Sequence, residues 1–339
     1  MNILISPRQR FERGCRSRQT GFSLIEFMIA MAVGLMITGA LVGVLSAGSS
    51  DTKSNDRTSE LMTNGRFALN SMKEELRQAG FRGYLGVDPS TPSPWAAPAT
   101  GCAGTETGAT AGAFISNIRQ AVWGSNNSNP FLLNCIPASI YSPASNDLIN
   151  DVLVVRRLSV YPTTTANLAA NTVYFRSSYE QGQIFRMTTT PVTPPTFVAG
   201  SVPVDSFAVQ TYVYYISPFT VSATESPKIP ALYRVALQSD GTMQRELVAS
   251  GIERMQVQYG RVLTSLETQY LNTLTGTSSA TGATEWDGVK SVRIWLLARG
   301  LTVEPGYSNT TTYQMGDQPF TAADGFRRQL FSTVVHFRN

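Results

Sequence analysis

Residues 20–50 read TGFSLIEFMIAMAVGLMITGALVGVLSAGSS, and Glu26 is the single charge among them. The 21 residues 27–47 carry neither a charge nor a proline. At about 1.5 Å of rise per residue, such a helix crosses a hydrocarbon layer of about 30 Å. Two simple readings compete. A secretory signal peptide has an apolar region of roughly 7–15 residues with small residues after it. This run is longer, and its small-residue boundary, Gly21, lies in front. A plain anchor, basic side in the cytoplasm, agrees with the positive-inside rule. Such an anchor has no use for Glu26, because a carboxylate within a membrane span is costly and usually marks function.

The hexapeptide Gly21-Phe22-Ser23-Leu24-Ile25-Glu26 resembles the processing site of type IV prepilins and of type II secretion pseudopilins. That resemblance implies cleavage by a prepilin peptidase between Gly21 and Phe22, N-methylation of Phe22, and retention of Glu26 in the apolar helix. An amine at Phe22 and a carboxylate at Glu26 stand at i and i+4 of one helix. By the same resemblance the two groups pair within or between subunits and set the axial register of assembly, so Glu26 is a register device and not a catalytic acid.

Residues 1–21 hold Arg8, Arg10, Arg13, Arg16 and Arg18 against Glu12. Removing them from the chain's 27 basic and 23 acidic residues leaves 22 of each. The basic character therefore belongs to a leader of residues 1–21. The balanced remainder offers no support for nucleic-acid binding, which needs a basic patch on the folded domain. Cys15 lies in the leader, leaving Cys102 and Cys135. Outside the cytoplasm these two would form one disulfide worth about 3–4 kcal/mol, the alternative being two buried free thiols.

The helix is expected to continue past the membrane surface, over 22–80 in all, with 22–50 as its transmembrane half. Leu61, Ala68, Leu69, Met72, Leu76 and Ala79 recur at helical spacing and mark one apolar face. Arg57, Glu60, Arg66, Lys73 and Glu74 serve the other faces, and Gly80 is the stop, with Gly83 close behind. Gly39-x-x-x-Gly43 permits close helix approach in a membrane, although glycine is also simply common in such helices. The stretch 66–83, RFALNSMKEELRQAGFRG, resembles the same position in PilW-type minor pilins and, less closely, in J-type pseudopilins.

Residues 81–150 are rich in Pro, Gly, Ser, Thr, Asn and Ala. They are read as loops with one short helix at 114–122. From 151 the hydrophobic period becomes two. Strands are expected at 152–160, 172–177, 183–187, 206–216, 231–237, 242–248, 252–259, 288–298 and 330–337, with a hairpin at Asp240-Gly241. One long helix before about nine strands gives an α+β, pilin-like fold, the helix packed on a C-terminal antiparallel β domain of 151–339 built as one large or two smaller units. Residues 286–299, 326–330 and 334–339 resemble the closing strands of PilW-type proteins.

The sequence holds no G-x-S-x-G, phosphate loop, dinucleotide fingerprint or H-E-x-x-H, and neither a cofactor nor a metal is expected. His336, the only histidine, reads as a structural side chain in an apolar strand. Asp147 and Asp151 are too few for a calcium site. Arg156-Arg157 and Arg327-Arg328 read as solvent faces and ends of strands. Three classes stay open. A minor pilin that primes type IV pili and sits at or near the tip is best supported. A J-type pseudopilin and a membrane-anchored adhesin or enzyme domain follow. The first implies, as partners, prepilin peptidase, other minor pilins, the major pilin and a tip adhesin. It also implies an inner-membrane precursor with a periplasmic domain, a pilus location after assembly, and service to adhesion and twitching.

Overall fold

The computed structural model describes residues 21–85, 115, 117–128, 136, 150–197, 202–263, 267–276 and 283–338. The chain divides into two compact units, Met1–Asn55 and Asp56–Asn339. One helix, α1 (Leu24–Arg77), contributes residues to both.

In the first unit every described residue of 21–49 is exposed, including Phe27, Leu35, Met36 and Leu45. This is the one helix among the described residues that is long and apolar enough to cross a membrane. Its lone hydroxyl near mid-span needs no outside partner, since Thr38 Oγ1 donates to the Gly34 carbonyl at 2.7 Å. A methyl group at Gly39 or Gly43 would meet nothing within 4 Å, so this face is open.

In the second unit the apolar stripe of α1 is buried at Leu61, Ala68, Met72, Leu76 and Ala79, with Leu69 packed at its edge. Gly65 lies on the same stripe. A Cβ there would fall 2.1 Å from the Phe331 ring, so glycine permits the close approach. The stop falls where expected. Gln78 and Ala79 donate to carbonyls three residues back, and Gly80 takes φ 78° and donates to the Arg156 carbonyl at 2.9 Å.

Thirteen strands follow among the described residues, all paired antiparallel. The first sheet contains β1 (Val122–Ser125), β2 (Val152–Leu158), β3 (Val173–Ser177), β4 (Gly182–Arg186), β5 (Asp205–Ser217), β6 (Ala231–Leu237) and β7 (Met243–Ser250). The 13-residue β5 is its hub, pairing β3 through its first four residues, β2 through its middle and β6 through its last six. The second sheet takes the order β13 (Arg328–His336), β10 (Val289–Arg299), β8 (Ile252–Val262), β9 (Thr268–Leu271). A small ladder joins β11 (Thr312–Tyr313) to β12 (Phe320–Thr321). Both larger sheets and the buried face of α1 share one hydrophobic core.

All nine expected strands are present, most within two residues of their expected ends. The Asp240-Gly241 hairpin is present too. Gly241 has φ 79°, and Asp240 Oδ1 accepts the Thr242 N–H at 2.8 Å, the local bond that makes aspartate a turn residue. Burial of the seven β2 residues departs from the expected alternation, because both faces of this strand are covered.

Two expectations are corrected. Ile115 is helical, but residues 118–121 form turn and bend and Val122 opens β1, so the helix expected over 114–122 does not extend across that stretch. The β-branched and aromatic Val122-Trp123 pair with Val155 and Val154 of β2, and this long-range pairing outweighs local helix propensity. The arginine pairs are not simply solvent-facing either. Arg156 is fully buried and donates to the Gln120 carbonyl at 3.3 Å, and the Arg328 side chain is 1% exposed; only Arg327 is largely open. His336 ends β13 as an exposed residue, so it does not pack in the sheet as the apolar run around it suggested.

Candidate functional site: the processing and assembly segment

Gly21, Phe22 and Ser23 lie outside the helix, and α1 starts at Leu24. The Ser23 carbonyl accepts the Phe27 N–H at 3.1 Å, which makes Ser23 the N-cap. Glu26 stands three residues on and reaches back, its Oε2 accepting the Ser23 N–H at 2.9 Å. This is the returning half of a capping box, and it satisfies a donor that the helix itself leaves unpaired. It also places a negative charge at the positive end of the helix dipole.

The geometry has two chemical consequences. The Gly21–Phe22 bond sits in non-helical chain and Phe22 is 90% exposed, so a protease can take it in extended form. Hydrolysis there would create an amine at Phe22, one residue before the N–H that Glu26 already binds. The carboxylate is thus poised for a cation at the head of its own helix or of a neighbour's.

The other singled-out residues fall elsewhere. Cys102, Cys135 and Asp147 lie outside the described residues. Asp151 is buried, and its two oxygens accept backbone N–H groups from Asn127 at 2.9 Å and Val257 of β8 at 2.7 Å. Together with Asn150, whose Oδ1 accepts the Met255 N–H at 2.7 Å, it ties the entry of β2 to β8. It is a structural clasp between the sheets. Burial outweighs those bonds and pushes the Asp151 carboxyl up to about 7. Because the folded value lies above the unfolded one, this group's contribution is largest below about pH 4 and is lost as pH rises through about 7. Asp151→Asn is expected to flatten the fall in urea midpoint between pH 5 and pH 8, while lowering stability throughout by leaving one N–H unpaired. An unchanged slope would show that Asp151 does not titrate there.

Glu75 was missed by the sequence reading. It bonds Arg157 of β2 at 2.6 Å and approaches Arg234 of β6 at 3.9 Å, and Arg234 also meets Glu246 of β7 at 2.7 Å. A signal was available. Glu75 is three residues after Met72 and four before Ala79, which places it on the border of the apolar stripe. Among the described residues no group of three or more His, Cys, Asp or Glu side chains is placed to hold a metal ion.

Residues 16–42 match the family model of the prokaryotic N-terminal methylation motif. Residues 213–339 match the model described as type IV pilus-assembly protein W. The second match covers β6–β13 and the last five residues of β5. No curated protein matches the chain. Among solved structures, a type IV-like pilin from Thermus thermophilus aligns over 82% of this chain and 96% of that one, at 14% identity and a TM-score of 0.34, too low to carry an argument. The two family matches thus give a prepilin-type methylation motif at the N-terminal end and a W-type pilus-assembly domain over the C-terminal third.

Proposed function

We propose that this chain, which joins an N-terminal methylation motif to a type IV pilus-assembly W domain, is a minor pilin that helps prime the filament and sits at or near its tip. Prepilin peptidase cuts between Gly21 and Phe22, Phe22 is methylated, and residues 1–21 leave with the surplus positive charge. The helix, 22–80, first anchors the protein in the inner membrane with 81–150 and 151–339 in the periplasm, and assembly then carries it to the cell surface. The role is structural, not catalytic.

One observation supports this reading above the rest: an exposed apolar helical stretch, residues 24–49, whose only carboxylate, Glu26, lies shortly beyond an exposed Gly–Phe bond. In a filament that apolar surface packs against like helices of the other minor pilins and the major pilin. A carboxylate carried into such a bundle costs about 3–5 kcal/mol if left unpaired, and a subunit amine at the matching height removes that cost. Register follows from the pairing. A tip adhesin is a further partner in this scheme.

Mass spectrometry of membranes and sheared filaments from the same cells tests it. A peptide beginning at methylated Phe22 in the filaments is expected. The same peptide confined to membranes would favour a pseudopilin, and an intact peptide across Gly21–Phe22 would leave only an anchored domain. Glu26→Val is expected to be cleaved and inserted like wild type, yet recovered in filaments at least about tenfold less, because the Phe22 amine then enters the bundle without its counter-charge. Wild-type incorporation would remove the register argument. The Cys102–Cys135 disulfide belongs to the same proposal, and a non-reducing tryptic map is expected to contain the crosslinked peptide.

A further inference from the structure

The two faces of the second sheet differ. Met255, Val257, Ile294 and Leu296 point into the shared core, so the residues between them point away from it. Part of that outer face is roofed by the chain after β10. The Arg254 guanidinium carbon lies 4.6 Å from the Phe320 ring centre, and a Cβ on Gly316 would meet Gln256 at 3.2 Å. The rest is open. Ser332, Val334 and His336 of β13 are exposed there, and Tyr270, Arg293 and Trp295 are half-buried. The three rungs that cross β8, β10 and β13 at Ser291, Arg293 and Trp295 contain no Asp, Glu or Lys and one arginine.

That arginine and two aromatic rings form one flat unit. Tyr270 reaches across Gly260, where a Cβ would fall 3.0 Å from its ring, and its hydroxyl accepts a hydrogen bond from Ser291 Oγ at 3.2 Å. The Arg293 guanidinium carbon then lies 4.2 Å from the Tyr270 ring centre and 5.8 Å from that of Trp295. These contacts position the guanidinium without using its N–H groups. Among the described residues Arg293 has neither an ion pair nor a hydrogen bond. The Trp295 indole N–H and the hydroxyl of Ser332, which stands opposite Trp295 on β13, are likewise uncommitted among the described residues.

We propose that this open part of the sheet binds an acidic saccharide, its carboxylate held by Arg293, its ring laid on Trp295, and its hydroxyl groups met by Ser332 and His336. The chemistry selects the class. A positioned planar fork without a counter-ion suits a carboxylate. The negative face of an indole attracts the polarised C–H groups of a sugar ring. The flanking groups are hydroxyl, imidazole and amide, with Gln258 bonded to Asn272 at 2.9 Å, which suits a hydroxyl-rich ligand better than the apolar centre of a protein interface. A nucleic acid needs a row of cations, and these rungs supply one arginine. The site is separate from the N-terminal assembly segment and does not depend on that segment's role.

The test is calorimetric titration of the full chain, in micelles of a sugar-free detergent, with four probes. They are a tetrasaccharide alternating glucuronic acid with N-acetylglucosamine, the same tetrasaccharide with its carboxylates reduced to alcohols, a blocked peptide carrying one glutamate, and single-stranded DNA. The acidic tetrasaccharide is expected to bind, and the other three to bind at least about tenfold more weakly, the worth of one charge-assisted fork. Arg293→Gln should weaken the acidic tetrasaccharide at least about tenfold. Val334→Glu places a carboxylate opposite Arg293 at an exposed position and should do the same with the arginine still in place, so the test stands even where Arg293→Gln unfolds early. Arg245→Gln, which alters an exposed arginine stacked on Tyr233 of the first sheet, should leave binding unchanged. No binding by the wild type, equal or tighter binding of any of the other three probes, unaffected Arg293→Gln and Val334→Glu variants, or an equal loss in Arg245→Gln would each overturn the proposal.

Discussion

Gly21→Val is expected to leave the precursor unprocessed, with the N-terminal peptide still spanning residues 21–22 and no methylated Phe22 detectable in membranes. The structure separates this effect from any effect on folding. Gly21 precedes the helix, is exposed, and a Cβ added to it would meet nothing within 4 Å. Its backbone is not in the left-handed region that favours glycine. Valine therefore meets no obstacle within this chain, so a block in processing would arise at the protease and not from misfolding. Gly21→Ala should give an intermediate result, a partly processed pool, because one methyl is a smaller intrusion than three carbons branched at Cβ. The measurement is the ratio of spanning to cleaved N-terminal peptide in the two variants. A normal ratio for Gly21→Val would falsify the assignment of the cleavage site.

The second large effect lies at the far end of the chain. Arg328 opens β13 with its side chain 1% exposed and makes two bidentate pairs. Its Nε and Nη2 bond Glu253 at 2.6 and 3.2 Å, and its Nη1 and Nη2 bond Asp324 at 2.6 and 2.7 Å. Glu253 is 13% exposed and has Arg299 as a second partner at 3.2 Å. The Phe320 and Phe326 rings lie 5.2 and 5.9 Å from the Arg328 guanidinium carbon. Arg328→Leu removes the cation and leaves Glu253 mostly buried with half its partners. Breaking one side of such a buried pair costs about 3–5 kcal/mol. Arg328→Lys should cost less than the leucine variant, since charge is kept and the planar fork is lost. The urea midpoint of the full chain in detergent, read by the buried Trp123 and Trp286, distinguishes these outcomes. A leucine variant as stable as wild type would show that the network contributes nothing.

The same network has a defined acid limit. Arg328's hydrogen bonds hold the Asp324 carboxyl below its ordinary value. A depressed folded value means that the contribution is present above the unfolded value near 3.8 and is lost as pH falls through the folded one. Asp151 responds in the opposite sense, losing its contribution as pH rises towards 7. Acid weakens the edge at β13, and a rise to neutral pH weakens the clasp at β8.

What the sequence by itself determined is everything set by local pattern. Uninterrupted apolar composition makes 24–49 an exposed helix, and the Leu61–Ala79 spacing predicts the buried stripe. Period-two patterning locates nine strands, and Asp240-Gly241 locates a hairpin whose bonds span only a few residues. The methylation motif lies in one contiguous run, residues 16–42. The tertiary structure alone decided the rest, because those features depend on partners far away in the chain. Val122 and Trp123 become a strand only beside β2, some thirty residues later. Arg156 and Arg328 look like strand-end charges until packing covers their side chains and Gln120, Glu253 and Asp324 supply the hydrogen bonds that make burial tolerable. Local propensity writes elements; long-range pairing and desolvation decide which charges those elements enclose.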